Sequence, residues 1–99
     1  MITLVRTVVA QPGKMFEYSA AASEACAHAS RLSGTKFSLN AGFGGVVGEF
    51  AIIASFASLA ELEAAIAKMM ADEAWRAASA KAQSLSVAGL SRDHIWREV

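Results

Sequence analysis

The sequence predicts an α+β fold whose elements follow the order β-α-β-β-α-β. Three observations predict it. First, segments typical of strands lie at the start, in the middle and at the end of the chain. Second, two stretches with a three- to four-residue apolar spacing, typical of helices, lie between them. Third, breaks rich in glycine separate these segments. We expect the 99 residues to form one domain over 1–99, because the chain is too short for a second independent core.

The first strand is predicted over 2–10, ITLVRTVVA, which is dense in β-branched residues. Alternation divides its side chains between two faces, with Ile2, Leu4, Arg6 and Val8 on one face and Thr3, Val5, Thr7 and Val9 on the other. The strand ends at Pro12-Gly13, because proline cannot donate a hydrogen bond to a neighbouring strand.

A helix is predicted from Lys14 to a C-terminal cap at Gly34. Its inward-facing stripe follows alternating three- and four-residue spacings and consists of Met15, Tyr18, Ala22, Ala25, Ala29 and Leu32. Because alanines dominate this stripe, the helix can pack closely on its neighbours.

The second half of the chain begins with a predicted hairpin, 35–41 and 46–56 around the glycine-rich turn 42–45, where Gly48 is compatible with a bulge. Ser58 and Glu61 form a capping-box pattern, and the helix that follows is expected to bury Leu62, Ile66 and Met69. Asp72 is expected to cap a further short helix to about Gln83, and 90–99 to return as the last strand.

This order is the ferredoxin-like arrangement, in which helices cover only one face of the sheet. Both faces of the first strand are largely apolar, and the chain is 55% hydrophobic with a mean hydropathy of +0.38. We therefore expect the uncovered face to meet its copy in a second chain, so that two subunits form a homodimeric α/β barrel.

Charge and cysteine content narrow the function. Nine basic and nine acidic residues give zero net charge with no basic cluster, which argues against nucleic-acid binding. No apolar run reaches the length of a membrane span, and the N-terminal segment, with Arg6 in its middle, does not read as a signal peptide. A single cysteine, Cys26, fits a reducing compartment, so a cytoplasmic location is expected.

Several short blocks resemble the NIPSNAP-like proteins. The match is carried by Arg6-Thr7, Pro12-Gly13-Lys14 and Glu17-Tyr18, then by Ser58 to Glu61 and by Asp72 with Trp75. The sequence departs from the family pattern at Val8, where an aromatic residue is usual, and at Glu73, where proline is usual. The resemblance implies a dimeric α/β barrel and an intracellular location. It implies little chemistry, although the related barrel superfamily includes cofactor-independent monooxygenases.

Five residues are candidates for a ligand site. Arg6 could bind an anion within a cavity, or it could pair with an acid such as Glu49, Asp93 or Glu98. Tyr18 and Trp75 could line a pocket or pack in the core. The two histidines, His28 and His94, are possible proton carriers.

No pattern requires a metal or a cofactor. Neither histidine stands at a metal-ligand spacing, and Cys26 is interpreted as a small buried residue. The glycine-rich segment 42–45 precedes a strand and is interpreted as a turn.

Two function hypotheses follow. The first is a module that binds a small apolar ligand between helices and sheet. The alternative is a cofactor-independent monooxygenase or isomerase for a small aromatic substrate, with Arg6 as anion stabiliser.

Overall fold

Four antiparallel strands form one sheet, and three helices lie against one of its faces. The computed structural model describes residues 1–99. The strands are β1 (Ile2–Val9), β2 (Ser38–Ala41), β3 (Glu49–Phe56) and β4 (Arg92–Arg97); the helices are α1 (Met15–Ser33), α2 (Leu59–Ala71) and α3 (Glu73–Ser84). The strand order is β2-β3-β1-β4. The predicted ferredoxin-like fold is confirmed, including α3 as a separate helix. None of the helices combines the length and the apolar character that crossing a membrane requires.

The register of the sheet decides which side chains share a face. On β1, Arg6 lies opposite Ile52 of β3 and Asp93 of β4. The face covered by the helices carries the even-numbered side chains of β1, as the alternation predicts, and these stand beside Phe50, Ile52, Ala54 and Phe56 of β3 and Asp93 and Ile95 of β4. The opposite face, which we call the open face, carries Thr3, Val5, Thr7, Ala51, Ile53, Ser55, His94 and Trp96.

The core forms where the alanine-rich side of α1 meets the covered face of the sheet. The Tyr18 ring lies on the Phe50 ring with centroids 4.9 Å apart, and Phe37 meets Phe56 edge-on at 5.9 Å. Between these pairs α1 presents only small residues, including the buried Ala22 and Ala29. This leaves space between helices and sheet that no core side chain fills.

Three local predictions differ from the structure. The hairpin strands start later than predicted, because the hydrogen bond from Gly42 N–H to the Glu49 carbonyl (2.8 Å) closes the pair and leaves 43–48 as a loop. Gly45 and Gly48 both have positive φ there, so the chain cannot run as a strand through Val46 and Val47. At the start of α1, Met15 faces solvent instead of the core. On α2, Ile66 was expected to be buried but is 39% exposed, because it lines the space between helices and sheet.

The capping box at the start of α2 forms as predicted. Ser58 Oγ accepts a hydrogen bond from the Glu61 N–H (3.3 Å), and the Glu61 carboxylate accepts one from the Ala57 N–H (3.1 Å). We expect Ser58→Ala to lower the free energy of unfolding by about 1 kcal/mol, because the helix loses a partner for one of its free N–H groups. Urea unfolding of Ser58→Ala beside Ser23→Ala, an exposed serine within α1, measures this. Equal losses in the two variants would contradict the capping role.

Candidate functional site

A cavity of about 580 Å³ lies between the covered face of the sheet and the helices. Most of its wall is apolar: 16 of the 23 lining residues are hydrophobic. Leu4, Val8 and Ile52 form the sheet side, and Ala22 of α1 and Ile66 of α2 stand among the residues of the helix side. A largely apolar cavity of this size is typical of small-molecule sites.

An ion pair stands at the mouth of this cavity. Arg6 Nε donates to Asp93 Oδ1 at 2.7 Å, and Arg6 Nη2 donates to Asp93 Oδ2 at 2.8 Å. Both side chains are half-exposed, 48% for Arg6 and 46% for Asp93. The hydrogen bonds from Arg6 hold the pKa of Asp93 below its ordinary value. The arginine in the apolar strand therefore has an acid partner, one of the three acids that the sequence offered, and the partner also lines the cavity.

Tyr18 supplies a hydroxyl to the same cavity. Its ring is buried, 2% exposed, against Phe50. Its Oη makes no hydrogen bond within the chain, yet it is not a polar atom sealed in the core, so it faces the space of the cavity. Burial raises the pKa of Tyr18 above its ordinary value, and the hydroxyl is therefore protonated at neutral pH and free to donate.

The helix wall includes residues that the sequence reasoning missed. Trp75 is held at the start of α3 by the Asp72 carboxylate, which accepts from the Trp75 N–H at 2.9 Å. Ser79 and Gln83 follow Trp75 at four-residue steps and line the cavity with it. The four-residue spacing of these residues in the sequence could have placed them on the same side of a helix as Trp75. Cys26 also lines the cavity, as a buried thiol whose pKa burial raises.

The two histidines lie outside the cavity. His28 is half-buried on α1 and does not line the cavity; its Nδ1 lies 3.2 Å from Arg31 Nη2 and its Nε2 3.8 Å from Glu24. His94 lies on the open face, where its ring stacks on that of Trp96 at a centroid distance of 6.1 Å. Of the five candidate residues, the structure brings Arg6, Tyr18 and Trp75 together and leaves the histidines apart.

A four-stranded antiparallel sheet with helices on one face, in the order β-α-β-β-α-β, defines the class of ferredoxin-like α+β proteins. Within that class the chain belongs to the NIPSNAP family, whose model matches residues 3–97. No curated protein matches the chain by sequence.

Three of the solved structures that are similar to this chain illustrate the likeness. A NIPSNAP family protein from Agrobacterium tumefaciens has a TM-score of 0.86 at 21% identity, covering 99% of this chain and 85% of that one. An uncharacterized NIPSNAP domain protein from Burkholderia xenovorans has a TM-score of 0.83 at 13% identity, covering 100% and 95%. SnoaB, a cofactor-independent oxygenase from Streptomyces nogalater, here as a point mutant, has a TM-score of 0.73 at 15% identity, covering 98% and 91%. At these identities the likeness shows the fold alone.

Proposed function

We propose that this protein binds a small, mostly apolar ligand in the cavity between its helices and its sheet. The observation that carries the proposal is the cavity itself, about 580 Å³, with mostly apolar walls and a minority of polar lining residues. In this site Arg6, Tyr18 and Asp93 orient the polar end of the ligand, and Trp75 packs on its apolar body. His28 and His94 take no part, since both lie outside the cavity.

Filling the cavity tests this function. Ser79 is half-buried on the cavity wall, so Ser79→Phe places a ring in the space with little strain on the core. Calorimetric titration with 1-naphthamide, an uncharged bicyclic probe, should show the affinity falling by ~10-fold or more, since 1.4 kcal/mol of lost contact is a factor of ten. Ala80→Phe is the matched control, because Ala80 is exposed on α3 and does not line the cavity. Binding that Ser79→Phe leaves intact would place the ligand elsewhere.

The homodimer is part of the same proposal. Val5, Ile53 and Trp96 stand on the open face, where no helix covers them, and Trp96 is 62% exposed. Several polar groups of this face already bond to one another: Thr3 Oγ1 lies 3.0 Å from Ser55 Oγ, and Asn40 Nδ2 donates to the Ala51 carbonyl at 3.3 Å. Polar groups that are already paired cost less to bury, and a second copy of this face would cover its apolar side chains. The free thiol of Cys26 fits a cytoplasmic dimer.

A cofactor-independent monooxygenase is the second candidate. It is favoured by Arg6 and Tyr18 lining one cavity, and a protein of similar fold is described as a cofactor-independent oxygenase. In such a reaction a phenol such as 1-naphthol takes up O2, one oxygen atom becomes a second carbonyl of a quinone, and the other leaves as water. An oxygen electrode tests it: uptake that is equimolar with quinone and lost in Tyr18→Phe supports this reaction. No uptake with 1-naphthol would contradict this reaction.

A further inference from the structure

We propose that the cavity takes ligands whose polar end is uncharged, such as a carbonyl, amide or hydroxyl, and that Asp93 sets this preference by neutralising Arg6. The inference rests on the proposed binding function and names the chemical class of its ligand. From the sequence alone two roles for Arg6 were open, an anion site or a pair with an acid. The structure shows the pair, with Asp93.

The geometry of the ion pair carries the argument. Arg6 turns the Nε and Nη2 edge of its guanidinium to Asp93, which is the edge that a ligand carboxylate would take in a two-point contact. Two N–H groups with good distances, 2.7 and 2.8 Å, are therefore occupied. An incoming carboxylate would have to displace Asp93 from Arg6. Otherwise it would approach an ion pair of zero net charge and be repelled by the Asp93 carboxylate.

No other group in the cavity replaces this positive charge. Arg92 touches the lining, but it follows the strand alternation and stands with Thr7 on the open face, opposite to Asp93. The remaining hydrogen-bonding side chains of the lining carry no charge: the hydroxyls of Tyr18, Ser79, Ser86 and Ser91, the indole of Trp75 and the amide of Gln83. Moving an anion from water to apolar walls without a compensating charge costs far more than moving a neutral acceptor whose hydrogen bonds are replaced.

The polar groups that remain free match a neutral acceptor. Tyr18 Oη has no partner within the chain and can donate one hydrogen bond. Arg6 uses two of its five N–H groups on Asp93, so its Nη1 can donate to the same ligand oxygen or to a neighbouring one. Both residues line the cavity, so each offers a donor to a ligand carbonyl or hydroxyl oxygen.

A matched pair of probes tests the charge preference. 1-Naphthamide and 1-naphthoate share a shape and differ in charge at pH 7. In calorimetric titrations of the full chain we expect wild type to bind the amide at least ~10-fold more tightly than the carboxylate, the ratio that 1.4 kcal/mol gives. In Asp93→Asn the guanidinium keeps its position but regains its net charge, and the ratio should move toward the carboxylate by ~10-fold or more.

Glu63→Gln is the control for net charge. Glu63 is exposed on α2 and does not line the cavity. Glu63→Gln removes one negative charge, as Asp93→Asn does, so its ratio of amide to carboxylate affinity should equal that of wild type. Three results would each overturn this inference while the binding function stands. Wild type could bind the two probes equally, it could bind the carboxylate more tightly, or Asp93→Asn could leave the affinity ratio unchanged. If neither probe binds to wild type, the binding function and the inference fail together.

Discussion

Tyr18→Ala should be among the most destabilising single substitutions in this protein, lowering the free energy of unfolding by about 3 kcal/mol or more. The Tyr18 ring is 2% exposed and lies 4.9 Å from the Phe50 ring, where it joins α1 to the centre of the sheet. Truncation removes the ring contacts and enlarges a space that is already open on one side. Urea unfolding followed by circular dichroism, at one fixed protein concentration, measures the loss.

Two variants show which part of Tyr18 matters. Tyr18→Phe keeps the ring, and because Oη bonds to no group of the chain, the free energy of unfolding should change by less than about 1 kcal/mol. The loss of the hydroxyl should instead lower the affinity for the ligand. Phe16→Ala removes a ring of the same size two residues earlier on α1, but that ring is 94% exposed, so a change within about 0.5 kcal/mol is expected. The role assigned to Tyr18 is refuted if Tyr18→Ala unfolds like Phe16→Ala.

The elements were predictable from the sequence because each depends on local physics. The two-residue alternation of β1 placed Arg6 on the same face as Leu4 and Val8, and the structure confirms it. Ser58 and Asp72 marked the starts of α2 and α3, since side-chain caps act within three residues. The hairpin was less exact, because Val46 and Val47 favour a strand by composition while the glycines beside them favour a loop.

The site was only partly predictable, because it depends on register between distant segments. Arg6 and Asp93 are separated by 87 positions, and the local pattern could not choose Asp93 over Glu49 or Glu98. Only the pairing of β1 with β4 brings the two side chains together. The same holds for the histidines: His94 differs from Asp93 by one position, and that single step moves its ring to the other face of the sheet.

Ile53→Asp should convert the proposed dimer to monomers. Ile53 lies in the middle of the open face, paired with Val5 of β1 and Ser38 of β2, and is half-buried within one subunit. In a dimer that packs this face on its copy, two aspartates would lie in an apolar interface without partners. The cost of burying such a charge is several kcal/mol, so the dissociation constant should rise by ~100-fold or more. Sedimentation equilibrium from about 1 to 100 μM measures a dissociation constant in the micromolar range, to which a ~100-fold rise would bring a tighter dimer.

The control for this substitution must add the same charge on the other side of the sheet. Ala67→Asp does so, because Ala67 is exposed on α2 and does not line the cavity, and its association should match that of wild type. Ile53→Asp should also keep the cavity, since Ile53 projects away from it, so 1-naphthamide should bind the monomeric variant. This separates assembly from binding. The open face is not the interface if wild type sediments as a monomer throughout, or if Ile53→Asp dimerises as wild type does. In either case the cavity would belong to the single subunit.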